Sequence, residues 1–291
     1  MPLKTVGLMS PGDMGSGIGQ RLRLNGLDVI TCLEGRSALS RLRAKEAGIR
    51  DVPTLDALVR EADLFLSIVP PGEAVALARH VAEATERTGA TPVYADFNAI
   101  SPDTTRKVGD IVTQAGAVFV DGGIIGGAPG GKQGEGPRLY WSGPDTTAMQ
   151  DLGRYGLDVR RVGKHIGQAS GLKMLYAAST KGTIALWTEL LTAARALDLT
   201  RDLEEELQDS PVYKAMQQSI PGMPRRSRRW VAEMREIAET FGSLGLTPTM
   251  MLGAADMYEM VGKTPLADRS ERDPQPTLEE TLAALMRVLE R

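Results

Sequence analysis

Cysteine and histidine are nearly missing from this chain. Cys32 is its one cysteine, so neither an intramolecular disulfide framework nor a multi-cysteine metal centre can form. The two histidines, His80 and His165, stand far apart, which argues against a His-based zinc site and against Ser-His-Asp chemistry. No metal is expected. Positive charge is not in excess either: the net charge is −3, which weakens any nucleic-acid or anionic-membrane partner. No uninterrupted apolar stretch approaches the roughly 20 residues that a membrane-spanning helix needs. A strand-like run begins almost at residue 3 and leaves no room for a signal peptide. A soluble cytoplasmic protein is therefore the expectation. The chain has 291 residues, 42% of them hydrophobic and 24% charged, enough for a sizeable core and about two domains.

The first half alternates short apolar runs with helical patterns. KTVGLM (4–9), LDVITCL (27–33), ADLFLSIV (62–69), TPVYADF (91–97) and AVFVDGGI (117–124) read as strands, with RLYWSG (138–143) as a further short one. Helical stretches lie between them at 14–25, 37–47, 54–61, 72–87 and 102–115. Such alternation implies βαβ units with right-handed crossovers, hence a doubly wound, Rossmann-like α/β sheet. After Gly167 the pattern changes. GQASGLKMLYAASTKGTIALWTELLTAARALDL reads as one helix of about 30 residues, apolar on much of its circumference and so buried on several sides. Helices follow at 202–219, 225–243, 248–262 and 277–290, punctuated by PGMP and LTPT. The expected organisation is a dinucleotide-binding domain over 1–163 and an all-helical domain over 164–291.

The turn after the first strand, VGLMSPGDMG, poses the main functional question. A dinucleotide loop needs a tight turn, a place where backbone approaches pyrophosphate, and close packing of helix on sheet. Gly12 and Gly15 meet the second and third needs, and the helix N-terminus adds partial positive charge. Ser10 stands where the first glycine is usual. It is small, but it enters positive φ less cheaply than glycine. The candidate phosphate contacts are Ser10, Pro11, Gly12, Asp13, Met14 and Gly15; an ordinary βα corner explains the loop alone nearly as well. The second strand should end at the cofactor ribose about 20 residues later, at Gly35. Arg36 and Ser37 follow, and Arg41 lies about one helical turn on. Arginine offers planar, charge-assisted hydrogen bonds to phosphate, so Gly35, Arg36 and Ser37 favour NADP(H) over NAD(H). Glu34, turned inward, would instead suit the ribose of NAD(H).

Further contacts are expected where later strands end. Val69 and Pro70 would wall the cofactor, and Asn98 would hydrogen-bond substrate or nicotinamide ribose. Ser101-Pro102 reads as a conventional helix start. DGGIIGGAPGG (121–131) would let backbone approach a carboxylate, with Gly122 and Gly123 as substrate contacts, although a surface loop explains the glycines too. Lys173 sits in the apolar stretch GLKMLYAA, where a desolvated lysine can act as acid or base; a snorkelling lysine is the plain alternative. Tyr176, on an adjacent face of the same helix, is a further candidate substrate contact. RRSRR (225–229) reads as a solvated helix start.

On these residues the chain resembles the β-hydroxyacid dehydrogenase superfamily, which includes 6-phosphogluconate and 3-hydroxyisobutyrate dehydrogenases and the imine reductases. VGLMSPGDMGSGIGQRL is similar to the family's cofactor motif, DFNAISP to its Asp-x-Ser-Thr-x-x-Pro region, and GQASGLKMLYA to its catalytic helix. The C-terminal helices resemble a subgroup with a phosphogluconate-dehydrogenase-like end. The resemblance implies that Lys173 moves the proton while hydride passes to or from the nicotinamide. Three positions depart from the pattern: Asn98 replaces a serine, Ala177 replaces an asparagine four residues after the lysine, and Ile125-Gly126-Gly127 replaces Ser-Gly-Gly. Ile125 and Ala177 point to a less polar or differently shaped substrate. The implied activity is hydride transfer to or from a hydroxyacid-like or related hydroxy/carbonyl substrate. An imine reductase and a non-catalytic NADP-binding module are the competing readings. Trp187, Trp230, Met250 and Met251 suggest a homodimer through the helical domain, with Arg228 or Arg229 lining its cleft; intrachain core is the alternative.

Overall fold

A computed structural model describes residues 3–130, 135–270 and 273–290; Gly131, at the end of the glycine-rich stretch, lies outside them. The N-terminal unit ends at Met174. It is built on eight strands: β1 (Thr5–Met9), β2 (Asp28–Cys32), β3 (Arg50–Val52), β4 (Leu64–Ser67), β5 (Val93–Asp96), β6 (Phe119–Ile125), β7 (Arg138–Ser142) and β8 (Asp158–Gly163). They form one sheet in the order β3-β2-β1-β4-β5-β6-β7-β8, parallel except where β7 runs against β6. The expected doubly wound α/β fold is therefore present. The chain reverses direction across the sheet between β1 and β4, so the crevice at their carboxyl ends is the switch point where such folds take ligands.

The central strands read as unbroken apolar runs because both faces of the sheet are covered. Leu64, Phe65 and Leu66 are all fully buried, yet they serve different layers. Leu64 and Leu66 join Leu8, Ile18 and Leu22 on one face, while Phe65 joins Leu58, Val81 and Val108 on the other. This is the period of two expected of a strand. The parallel register sets Phe65 beside Tyr94 and Tyr94 beside Phe119. Their rings stack with centroids 5.2 and 6.1 Å apart, tying three strands through aromatic area rather than backbone bonds alone.

The sequence reading omits β3 and β8. β3, Arg-Asp-Val, is exposed at two of its three positions and β8, Asp-Val-Arg-Arg-Val-Gly, is buried at none, so both lack an apolar run. The long helix is present but not uniform: Gln168–Ala177 and Thr183–Ala196 are joined by a π-helical turn, Ala178–Gly182. The boundary between units falls inside this helix, after Met174, rather than before it at 163. The reason lies in the helix start, which the sheet holds, as described below.

The second unit, Leu175–Arg291, is helical as expected. The stretch 202–219 is two helices rather than one, Thr200–Leu207 and Pro211–Ser219. Ser210 caps the second, accepting from Tyr213 N at 3.3 Å, and Pro211 sits at its first position, where a missing N–H costs nothing. Trp187 stacks on Tyr213 and Trp230 meets Tyr258 edge-on. Trp230 and Met251 are buried within the unit, which favours the intrachain-core reading for these two; Met250 is 69% exposed.

Candidate dinucleotide site

The turn after β1 closes without glycine at its first position. Gly12 N donates to Ser10 O at 2.8 Å and Ser10 N donates to Ile68 O at 3.0 Å, which joins the ends of β1 and β4. Among the described non-glycine residues only Asp198 has a left-handed φ, so Ser10 makes the turn without the positive φ that glycine would supply. Gly12 caps the helix Asp13–Leu24 in extended backbone, with no side-chain capping bond. Among the described residues, no hydrogen bond engages the N–H groups of Asp13, Met14 or Gly15. These are the orphan donors of a helix start, and they favour an anion.

The two glycines differ in what surrounds them. A Cβ on Gly15 would stand well inside contact with the Ser10 carbonyl oxygen and 3.2 Å from Leu8 Cδ2. That position is glycine because helix and strand touch there. A Cβ on Gly12 would meet no protein atom within 4 Å. Nothing in the chain itself demands glycine at 12, whereas a phosphate approaching the backbone would. The loop thus fits a dinucleotide by two independent observations, open donors and an open approach.

At the end of β2, Gly35 has φ +69° and Arg36 N donates to Leu33 O at 3.1 Å, closing a turn that lifts Arg36 off the strand. The Arg36 side chain has no hydrogen bond or ion pair with the described residues. Arg41 instead donates to Leu33 O at 2.5 Å and braces the turn from behind. Ser37 caps the helix Ala38–Ala47, accepting from Ser40 N at 3.2 Å. Arg41 and Ser37 therefore have structural work of their own, while Arg36 is the cation left at the strand end. Glu34 is exposed.

Asn98 stands differently from its expected place at a ligand. It is 2% exposed, and its amide is spent within the protein. Its Oδ1 accepts from Val69 N at 2.6 Å, and its Nδ2 donates to Ser67 Oγ and Asp96 Oδ2, both at 2.8 Å. With both amide protons committed, Asn98 latches the ends of β4 and β5 and fixes where Val69 and Pro70 run. Asp96 also accepts from Asn98 N at 2.9 Å. Burial, only partly offset by these bonds, pushes the Asp96 carboxyl up to about 7.

Gly122 and Gly123 likewise lie inside a strand, both buried and paired with β7. A Cβ on Gly122 would come 2.7 Å from Asp96 O; one on Gly123 would come 2.7 Å from Ala169 O and 3.0 Å from Lys173 Cβ. Their smallness lets the sheet pack tightly and lets the long helix lie directly on β6, with the Lys173 stem against Gly123. Lys173 is half-buried and Tyr176, one turn on, is 43% exposed.

Asp121 is the residue that sequence reasoning missed. It is fully buried on β6, and its Oδ2 accepts from Ser142 Oγ at 2.8 Å, Gly167 N at 2.8 Å and Ala169 N at 3.0 Å, while Oδ1 accepts from Ser170 N at 3.1 Å. A strand carboxylate thus caps the helix that carries Lys173, satisfying its orphan donors from outside the helix. Burial pushes this carboxyl up, and the hydrogen bonds oppose it. The only signal in the sequence is an acid directly before Gly-Gly at the end of an apolar run.

In the helical unit, Lys181 of the π turn pairs with buried Glu233 and lies 5.2 Å from the Trp230 ring centre. Burial lowers the Lys181 pKa against the pull of Glu233. Arg229 lies 3.8 Å from the same carboxylate, and Arg228 pairs with Asp268 at 2.8 Å and donates to Gly262 O. Both arginines expected at a cleft thus have partners within their own unit. No group of three or more metal-ligating side chains occurs among the described residues, and no described helix is long and apolar enough to cross a membrane.

Comparison with known proteins agrees with this geometry. Residues 5–145 match the NAD binding domain of 6-phosphogluconate dehydrogenase. The N-terminal unit is thus similar to the NAD binding domain of that family. Residues 194–261 match a domain of unknown function, DUF1932. An uncharacterised 28.5 kDa protein of Methanothermus fervidus is 27% identical, over 88% of this chain and 98% of its own length. A conserved protein of unknown function, MTH1747, described as structurally similar to 3-hydroxyacid dehydrogenases, superposes with a TM-score of 0.66 at 29% identity, over 88% of this chain and 97% of its own. The 3-hydroxyisobutyrate dehydrogenase of Mycobacterium tuberculosis shares the fold at a TM-score of 0.68 and 17% identity, over 99% of each chain. The fold class expected from the sequence, a Rossmann-like sheet followed by a helical C-terminal region, is therefore present.

Proposed function

We propose that the protein is an NADP(H)-dependent oxidoreductase acting on a hydroxyacid-like or related hydroxy/carbonyl compound. The observation that carries this reading is the open helix start: three N–H donors without partners behind a glycine that no protein atom crowds. Arg36, without an ionic partner at the end of β2, supports the 2′-phosphate form of the cofactor. When bound, the cofactor gives or takes the hydride. The chain supplies binding through the 10–15 turn, a fixed wall at Val69 and Pro70, and a proton at Lys173 Nζ. Gly123 and Asp121 support that role by bringing the Lys173 helix onto β6 and holding its start.

A homodimer through the helical unit belongs to the same proposal. Leu175, Leu186, Leu246 and Met250 are each more than half exposed there, apolar surface that a second copy of the chain would cover. Light scattering at micromolar concentration should give twice the chain mass; a monomer removes this part.

The test of the enzyme reading is NADPH turnover against a panel of hydroxyacids, carbonyl compounds and cyclic imines, comparing wild type with Lys173→Ala. Loss of turnover with retained NADPH binding is expected. Full activity in the variant would remove Lys173 from the mechanism, and binding without turnover of any substrate would leave a nucleotide-binding module. For the cofactor, Arg36→Ala should weaken NADPH at least tenfold, about 1.4 kcal/mol, and NADH little. Equal losses would refute the 2′-phosphate assignment.

A further inference from the structure

We propose that Arg21 is a positioning residue that clamps the glycine-rich segment after β6 onto the dinucleotide helix and so sets how tightly substrate is held; the substrate part rests on the function proposed above. Arg21 lies two turns into the helix Asp13–Leu24 and is 3% exposed, an uncommon place for an arginine. Its Nη2 donates to Gly130 O at 2.9 Å and to Glu135 O at 3.1 Å, carbonyls on the two sides of residues 131–134. Gly136 packs against the same guanidinium, since a Cβ there would come 2.5 Å from Nη1. One planar fork thus holds the Gly130 and Glu135 carbonyls together, a geometry that the point charge of lysine does not reproduce.

A second contact lies one turn earlier on the same helix face, four residues away. A Cβ on Gly17 would come 2.9 Å from Pro129 O and 3.4 Å from Ala128 Cβ. Gly17 therefore lets the segment lie down on the helix, and Arg21 keeps it there. The segment leaves β6 through Gly126, whose φ of +122° reverses the chain out of the strand. It thus runs from the strand that carries the Lys173 helix to the helix that offers the phosphate donors. Both ends belong to the N-terminal unit. A residue that fixes this segment acts on whatever lies between those ends, without touching the phosphate donors themselves.

The experiment compares wild type, Arg21→Lys, Arg21→Met and Gly17→Ala by three measurements. They are hydrogen exchange of peptides covering 126–137, fluorescence titration with NADPH, and the split between KM and kcat for the best substrate of the panel. Arg21→Met should speed exchange of the 126–130 amides at least tenfold and raise substrate KM about tenfold, with NADPH affinity within threefold of wild type. Arg21→Lys should recover part of both losses. Gly17→Ala pushes on the segment from below with the guanidinium intact, and should show the same signature more weakly; it tests the idea even where Arg21→Met does not fold. Unchanged exchange in Arg21→Met overturns the clamp. Equal losses of NADPH affinity and substrate KM overturn the positioning role and make Arg21 a support of the cofactor helix. Failure of the wild type to bind NADPH defeats the proposed function instead, and leaves the exchange arm to decide the clamp alone.

Discussion

Substituting Gly12 and Gly15 separately by alanine splits the two uses of the first loop. At Gly15 the new methyl would stand well inside the 3.0 Å below which a Cβ does not approach another atom, and the atom it meets is the Ser10 backbone carbonyl. A backbone oxygen held in the turn by Gly12 N cannot swing aside as a side chain would. Overpacking of this kind costs roughly 1–3 kcal/mol or more. Alanine in a helix recovers up to about 1 kcal/mol of propensity, which leaves a net loss of about 2 kcal/mol. For a unit of this size that lowers the melting temperature by roughly 4–8 °C. At Gly12 the φ of −72° suits alanine and the methyl meets nothing, so folding should change by about 1 kcal/mol at most. The methyl would instead occupy the approach of the pyrophosphate, and NADPH affinity should fall at least tenfold, about 1.4 kcal/mol. Thermal unfolding and NADPH titration of both variants check this. Should Gly12→Ala bind as wild type, or Gly15→Ala melt as wild type, the division of labour between the glycines is wrong.

Asp121→Asn should destabilise the N-terminal unit by about 2–4 kcal/mol, because an amide presents a donor to one of the three backbone N–H groups that the carboxylate now accepts from. Denaturant midpoints of the two proteins measure it, and a difference under 0.5 kcal/mol, by the same approximate scale, refutes the capping role. Asp96 predicts a pH effect. Its folded-state pKa, about 7, lies above the ordinary 3.8, so over that window the unfolded chain is ionised while the folded protein still holds the proton. The Asp96 contribution is complete below about pH 4 and declines as pH rises to about 7, by roughly 1.4 kcal/mol per unit or about 4 kcal/mol in all. The stability difference between wild type and Asp96→Asn should therefore shrink by that order from pH 4.5 to 8. Asp121, opposite in register, shifts in the same direction but is common to both proteins. A flat difference refutes the assignment.

What the sequence made legible is what depends on local pattern. Runs such as LFL in β4 and VYA in β5 are apolar throughout because the sheet is covered on both faces, and their spacing announces the alternation of strand and helix. Ser101-Pro102 and Gly12-Gly15 act on their own neighbours, so they could be read in place; Ser101 does cap its helix, accepting from Thr104 N. β3 and β8 escaped because their pairing comes from position in the sheet, not from their own apolar content. The polar residues were the least legible. Asn98 lies just past a strand end, where ligands are also expected, and Asp121 lies inside β6; only tertiary contacts show that one is a latch and the other a cap. A buried polar group looks the same in a sequence whether its partner is a ligand or another strand.

The same distinction bears on the substrate. Ile125 and Ala177, as departures from the resembling family, suggested a less polar ligand. In the structure Ile125 is the last residue of β6 and Ala177 closes the first part of the long helix, and both are buried within their own units. So enclosed, Ala177 offers a ligand almost no surface and carries no information on substrate polarity, whereas Ile125 also lines a cavity with Gly126, Pro137 and Arg138. That information has to come from side chains that remain open at the strand ends, where Asn98 contributes no free amide proton and the glycines of β6 no free strand edge. On the proposed function, specificity falls to the segment that Arg21 gathers and to what stands around Lys173, and a screen varying the charge and size of the carbonyl compound at constant NADPH is the measurement that reads it.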